Sequence, residues 1–106
     1  MPLDSTTNHP SLDAQFQALV KRWKKDTETD SSLTRMIRHP AYQEIIRMGE
    51  AVVPLLLAEL QQEADFWFAA LQQITGADPV PKASAGKIKE MAKAWLDWGR
   101  DKGLLQ

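Results

Sequence analysis

The sequence predicts an all-α protein, a compact bundle of about five helices built around one helical hairpin. Apolar residues recur at the three- and four-residue spacing of amphipathic helices through most of the chain. No segment shows the strict apolar–polar alternation, or the enrichment in β-branched residues, that is typical of strands. One stretch, residues 49–76, contains two segments in which apolar residues are almost continuous, and it is expected to form the centre of the fold.

That central stretch reads GEAVVPLLLAELQQEADFWFAALQQITG. It predicts two helices, over residues 50–62 and 65–75, that form a hairpin with Gly49 before it and Gly76 after it. Both helices carry apolar residues around most of their circumference. A helix that is apolar on most sides needs neighbours on most sides, so the other helices are expected to cover this hairpin.

The elements before the hairpin follow from local signals. Residues 1–10 contain two prolines and no periodicity, which predicts a disordered tail. Ser11 is expected to cap a first helix that ends near Lys25. The apolar face of this helix is formed by Leu12, Phe16, Leu19, Val20 and Trp23.

A polar linker over residues 26–32 then leads to a short helical turn over residues 33–38. His39-Pro40 ends this turn, because a residue before proline is disfavoured in helical conformation. Pro40 suits the first position of the next helix, which is expected to run to Met48 with Gly49 as its C-terminal cap.

After Gly76, the sequence ADPVPKAS predicts a rigid crossing, and the last helix is expected over residues 86–101. Its inner side is formed by Ile88, Met91, Ala92, Trp95, Leu96, Trp98 and Gly99. Residues 11–103 are therefore interpreted as a single helical domain and residues 104–106 as a tail that either folds back or extends freely.

Composition and charge limit the class of protein. A chain of 106 residues, 43% hydrophobic and 25% charged, is typical of one globular domain, and no apolar run approaches the ~20 residues of a membrane span. The first residues lack the basic and apolar regions of a signal peptide, so a cytoplasmic location without membrane contact is expected. The net charge is −1, but residues 48–81 contain five acids and no Lys or Arg, between two mildly basic flanks.

Several kinds of chemistry are disfavoured. The absence of cysteine excludes disulfides, a thiolate nucleophile and cysteine-ligated zinc. His9 and His39 both precede proline, and neither has a carboxylate four residues on along a helix, as a metal site on one helix face would require. AGKI at residues 85–88 lacks the first glycine and the Ser/Thr of a phosphate-binding loop. The sequence therefore predicts a protein that is not an enzyme and has neither cofactor nor metal.

Part of the hairpin resembles a known repeat. Gly49, Val52, Pro54, Leu55, Leu56 and Leu60, followed by the segment AALQQITG over residues 69–76, resemble a HEAT-like repeat of the phycobilisome-lyase type. The segments HPAYQEIIRMGEAVVPLLLAEL, WFAALQQITGADPVP and MAKAWLDWG are also similar to a group of small, uncharacterised bacterial proteins. The first resemblance implies a helical hairpin that binds other proteins through its helix faces. The second implies a shared fold and does not point to any particular activity.

Two functions from different classes remain open. The preferred hypothesis is a non-enzymatic protein-interaction module, a scaffold or adaptor, whose partner-binding anchors are sought among Phe66, Trp67, Phe68 and Trp98. Large aromatic side chains dominate many protein interfaces, and Phe66, Trp67 and Phe68 lie in a stretch without basic residues. The alternative is a nucleic-acid-associated regulator, or an antitoxin-like component of a two-gene module. It would bind through Lys21, Arg22, Lys24, Lys25, Arg35 and Arg38.

Overall fold

A computed structural model describes residues 11–63 and 65–105, and the predicted tail over residues 1–10 lies outside them. The described residues form six α-helices and no strand, which confirms the predicted all-α class. The sequence predicts about five helices. The six arise because the expected turn over residues 33–38 is a helix in its own right. The helices are α1 Leu12–Thr27, α2 Leu33–Arg38, α3 Pro40–Arg47, α4 Val53–Gln62, α5 Phe68–Thr75 and α6 Ile88–Asp101, with 3₁₀ turns at Gly49–Val52 and Lys82–Ser84.

The chain divides into two compact units, one that ends at Arg47 and one that begins at Met48. The first unit contains α1, α2 and α3, and the second contains the remaining elements. The sequence does not predict this division, because its apolar pattern continues across the Gly49 turn. A single domain over residues 11–103 is expected to unfold in one transition. That expectation stays a prediction.

In the first unit, α3 packs against both α1 and α2. Ser11 caps α1 as predicted, since its Oγ accepts a hydrogen bond from the Ala14 N–H at 3.1 Å. The rings of Trp23 and Tyr42 lie 5.4 Å apart between centroids, and the Trp23 indole N–H donates to the Met36 carbonyl at 2.8 Å. The buried apolar residues of these helices are Phe16, Val20, Trp23, Ala41, Tyr42 and Ile45.

In the second unit, α4 contacts α6 more extensively than it contacts α5. The predicted helix over residues 50–62 begins as the 3₁₀ turn and becomes α-helical at Val53, with Pro54 in the first turn. Leu56 and Leu71 are both 0% exposed, so the prediction that these two residues lie in the core is confirmed. The central place of the hairpin in the whole fold stays a prediction. The buried apolar residues of this unit are Val52, Val53, Leu56, Leu57, Leu60, Trp67, Ala70, Leu71, Ala92 and Trp95.

The second hairpin helix begins three residues later than predicted, at Phe68 instead of Asp65. Asp65 closes a turn instead: its Oδ1 accepts from the Phe66 N–H at 2.8 Å, and its carbonyl accepts from the Trp67 N–H at 2.8 Å. An Asp side chain competes with the helix for backbone N–H groups in this way. The predicted start at residue 65 is therefore wrong.

The last helix also begins later than predicted, at Ile88 instead of Gly86, because Gly86 lies in a turn with a φ of 86°. At the other end, the Leu104 N–H donates to the Gly99 carbonyl at 2.8 Å, and the Gly103 N–H donates to the Arg100 carbonyl at 3.1 Å. This pair of bonds is a Schellman motif, and it folds the chain back after α6. Leu104 and Leu105 are consequently half-buried, so this part of the predicted tail folds back instead of extending freely.

Candidate functional site

The four aromatic candidates differ sharply in exposure. Phe66, in the turn before α5, is 38% exposed, whereas Trp67 is 0% exposed. Phe68 on α5 and Trp98 on α6 are half-buried. Trp67 is therefore removed from the candidate surface. Trp67 precedes α5 and is not part of it. The predicted helix over residues 65–75 would have fixed the direction of Trp67 relative to Phe68, but helical geometry does not apply to a residue before the helix.

Phe68 lies in a groove of the second unit, here named the Phe68 groove. The groove has a volume of about 260 Å³ and is formed by α5, α6 and the crossing between them. Its apolar walls contain Phe68, Val80, Pro81, Met91 and Trp95, and its polar members include Gln72, Asp78 and Lys82. The predicted proline-containing crossing thus forms one wall of the groove.

Trp98 lies in a second groove of the same unit, here named the Trp98 groove, with a volume of about 310 Å³. It is lined by Glu50, Val53, Thr75, Trp98, Lys102 and Leu104. The Trp98 ring packs edge-on against the Trp95 ring, with centroids 5.3 Å apart and an interplanar angle of 73°. Because Trp95 lines the Phe68 groove, this aromatic pair connects the walls of the two grooves.

The size and charge of the grooves limit what they can hold. Pockets for drug-sized ligands span about 300–1,000 Å³, so both grooves are at or below the lower end of that range. Each groove contains one acid and one base, Asp78 with Lys82 and Glu50 with Lys102, so neither selects a ligand of one charge sign.

The basic candidates are in the first unit. Phe16, Val20, Trp23 and Thr27 are the buried residues of α1, and Lys21, Arg22 and Lys25 are exposed on the opposite side because successive residues turn by about 100°. We name these three residues the basic face of α1. Lys24 is half-buried at the border of this face. Arg22 Nε also lies 3.9 Å from Asp26 Oδ2, so an acid flanks this face.

The two arginines of α2 are both exposed, but Arg35 is engaged with an acid. Its Nη2 and Nε contact the two carboxylate oxygens of Asp30 at 2.9 and 3.3 Å. The hydrogen bonds from Arg35 lower the pKa of Asp30, and the Ser32 backbone N–H adds to this effect. The same pairing raises the pKa of Arg35. Arg35 would have to exchange this partner to bind a phosphate, whereas Arg38 is exposed at the end of α2.

Val80, Pro81 and Met91 line the Phe68 groove but are not among the predicted site residues, although Met91 is predicted on the inner side of the last helix. Met91 precedes Trp95 by four residues and therefore lies on the same side of α6, which is a signal that the sequence does contain. The positions of Val80 and Pro81 depend on the path of the crossing, for which no periodicity exists.

Neither a metal centre nor a membrane span is found in the described part of the chain. Within residues 11–63 and 65–105, no three His or carboxylate side chains are grouped as metal ligands. None of the helices in these ranges is long and apolar enough to cross a bilayer.

Comparisons of this chain with protein-family models, with curated proteins and with solved structures give no match. The likeness to a HEAT-like repeat therefore stays an expectation from the sequence.

Proposed function

We propose that this protein is a non-enzymatic protein-interaction module and that its second unit binds the partner, another protein, through the Phe68 and Trp98 grooves. The observation that carries the proposal is the Trp95–Trp98 pair on α6, which connects the walls of the two grooves. Buried aromatic anchors supply much of the energy of protein interfaces. The cytoplasm remains the expected location.

The HEAT-like resemblance is consistent with this proposal, because repeats of that class bind partners on their helix faces. The grooves are compatible with this mode of binding, since α5 and α6 supply Phe68, Met91 and Trp95 to the Phe68 groove, and α6 supplies Trp98 to the Trp98 groove. A partner would place bulky apolar side chains in the grooves, and Glu50, Asp78, Lys82 and Lys102 would remain near the rim, where charges contribute less to affinity.

The test is affinity capture from the native host with matched variants. The wild-type chain is compared with Phe68→Ala, Trp98→Ala and a control, Gln73→Ala, which changes an exposed residue of α5. A protein recovered with the wild type and the control, but lost with both groove variants, is then purified and its binding measured by calorimetry. We expect each groove variant to weaken binding by at least about tenfold, or 1.4 kcal/mol. Circular dichroism verifies that each variant is folded. Equal binding by all four chains would refute the proposal.

The basic face of α1 favours a second candidate function, the nucleic-acid-associated or antitoxin-like regulator. Exposed Lys21, Arg22 and Lys25 on one side of a helix are suited to phosphate contacts. Under this alternative, titration of labelled duplex DNA or RNA shows binding that weakens with salt. For duplex DNA, the logarithm of the binding constant should fall with the logarithm of the salt concentration by a slope of about −0.9 per phosphate contacted. Lys21→Glu with Lys25→Glu abolishes that binding, and Phe68→Ala leaves it unchanged. This result, combined with no captured protein, would replace the preferred function by the alternative.

A further inference from the structure

His39 connects all three helices of the first unit through its backbone and its ring. Its N–H donates to the Met36 carbonyl at 3.3 Å at the end of α2, and its carbonyl accepts from the Gln43 N–H at 3.0 Å in α3. The ring Nδ1 accepts from the Ala41 N–H at 3.0 Å, and Nε2 lies 2.8 Å from Asp26 Oδ2 on α1. Only 14% of the side chain is exposed.

These contacts select one form of the imidazole. A backbone N–H can only donate, so Nδ1 must present its lone pair to Ala41. A carboxylate can only accept, so Nε2 must carry the proton that points to Asp26. The neutral Nε2–H tautomer satisfies both bonds at once. The Nδ1–H tautomer would place two donors against each other at Ala41 and two acceptors against each other at Asp26.

The contact with Ala41 is a helix cap. Pro40 is the first residue of α3 and has no N–H, so the Ala41 N–H is the first donor at the helix N-terminus. N-terminal N–H groups of this kind are commonly satisfied by Ser, Thr, Asp or Asn side chains. Here an imidazole nitrogen takes that role, and imidazole is the side chain that titrates between pH 5 and 8.

We propose that His39 is a proton-operated helix cap. In the neutral state the ring caps α3 through Nδ1 and binds Asp26 through Nε2. Protonation places a hydrogen on Nδ1, so the ring can no longer accept from Ala41, and the imidazolium stays bound to the Asp26 carboxylate alone. The N-terminus of α3 is thereby released while the link to α1 is retained. Acidification thus separates two contacts that the neutral ring makes together.

Some charged groups around His39 favour the protonated ring, and others oppose it. On α1, Asp26 favours the imidazolium, whereas Arg22, 3.9 Å from the same carboxylate oxygen, opposes it. The partial positive charge at the start of α3 also opposes a charged ring. Two further charged pairs of the first unit are Glu44 with Arg47 on α3, at 3.2 Å, and Asp30 with Arg35, at 2.9 Å. Arg38, the residue before His39, is exposed.

Nuclear magnetic resonance of the ¹⁵N-labelled chain tests the proposal. A His9→Gln background leaves His39 as the only histidine, so its ring nitrogens are identified without ambiguity. At pH 8 we expect ring ¹⁵N shifts of the Nε2–H tautomer and a coupling through the hydrogen bond between the Ala41 nitrogen and Nδ1. As the pH falls to 5, the coupling should disappear and the Ala41 amide signal should move together with the ring signals.

His39→Asn is the matched control, because an Asn carbonyl oxygen caps a helix and does not titrate. In this variant the Ala41 amide signal should stay constant from pH 8 to pH 5. Two results would overturn the proposal. One is an Nδ1–H tautomer at pH 8. The other is an Ala41 amide in the parent protein that does not move while His39 takes up its proton.

Discussion

Gly99 lies directly against Leu57, because a Cβ added at Gly99 would stand 2.7 Å from Leu57 Cδ1. Leu57 is 0% exposed and has little room to withdraw. Gly99→Ala should gain up to about 1 kcal/mol of helix propensity and lose about 1–3 kcal/mol through overpacking. We expect a net destabilisation, measured by urea unfolding.

The Leu57→Ala background isolates the cause of that loss. With the Leu57 side chain shortened, the contact disappears and only the propensity gain remains. Gly99→Ala in this background should be neutral or stabilising, which gives a coupling energy on the order of 1 kcal/mol or more in the double-mutant cycle. The same destabilisation in both backgrounds would show that Leu57 is not responsible.

Leu56 and Leu71 are fully buried in the second unit, on α4 and α5. Leu→Ala at either position should lower the free energy of unfolding by about 2–5 kcal/mol. That is a large part of the about 5–15 kcal/mol typical of a domain. Leu33→Ala is the control, because Leu33 is 45% exposed, and it should cost under about 1 kcal/mol. A cost for Leu56→Ala or Leu71→Ala as small as that of the control would contradict a central role for the hairpin.

The pairing of Asp30 with Arg35 should make stability depend on pH. Folding lowers the pKa of Asp30, so the charged carboxylate stabilises the folded state above the ordinary Asp value and loses this effect as the pH falls through the lowered pKa. Asp30→Asn keeps an oxygen for the Ser32 N–H but removes the charge. The melting temperature of the wild type should exceed that of the variant at pH 7.

The difference should shrink at pH 3, below the ordinary value of about 3.9 for Asp. The effect should be small and weaker in high salt, because the Arg35 side chain is 70% exposed to solvent, although Asp30 is half-buried. Arg35→Gln is the complementary control and should show the same pH trend. A difference that is constant between pH 7 and pH 3 would exclude this pair as its cause.

Gly76 ends α5 with a φ of 72° and donates its N–H to the Gln72 carbonyl at 2.8 Å. A Cβ at this position would meet no atom within 4 Å, so any cost of substitution comes from the backbone. Gly76→Ala should destabilise the protein by about 1–2 kcal/mol. Gly76→Asn should cost less, because Asn tolerates the left-handed conformation better. Equal costs in chemical denaturation would point to another origin.

The element boundaries that the sequence predicts well are those with a strong local signal. α1 begins after Ser11, α2 ends before the His39-Pro40 pair, and α3 ends before Gly49. Each of these signals acts on the local backbone and does not depend on tertiary contacts. The start of α5 is missed because Asp65 offers the backbone an alternative to the helix. The division between Arg47 and Met48 depends on which contacts form between elements, and no local pattern determines those contacts.

The candidate site could be predicted in part. Phe68 and Trp98 are half-buried residues that line the two grooves, and both are among the aromatic candidates. Trp67 is wrongly grouped with them. The predicted helix over residues 65–75 included Trp67, but α5 begins only at Phe68, so the helical spacing does not apply to Trp67. The remaining walls come from the crossing and from the chain that folds back at Leu104. Tertiary packing, and not local sequence, determines the course of these segments.

The tryptophans are distributed so that each unit has its own optical probe. Trp23 is the only tryptophan of the segment that ends at Arg47, and Trp67, Trp95 and Trp98 all follow Met48. In a Trp23→Phe variant, fluorescence excited selectively in tryptophan, and not in Tyr42, reports on the second unit only during denaturation. Its midpoint can be compared with that of helix loss in the same sample, which includes both units. Coinciding midpoints would mean that the chain melts as one cooperative body, and separate midpoints would rank the two units by stability.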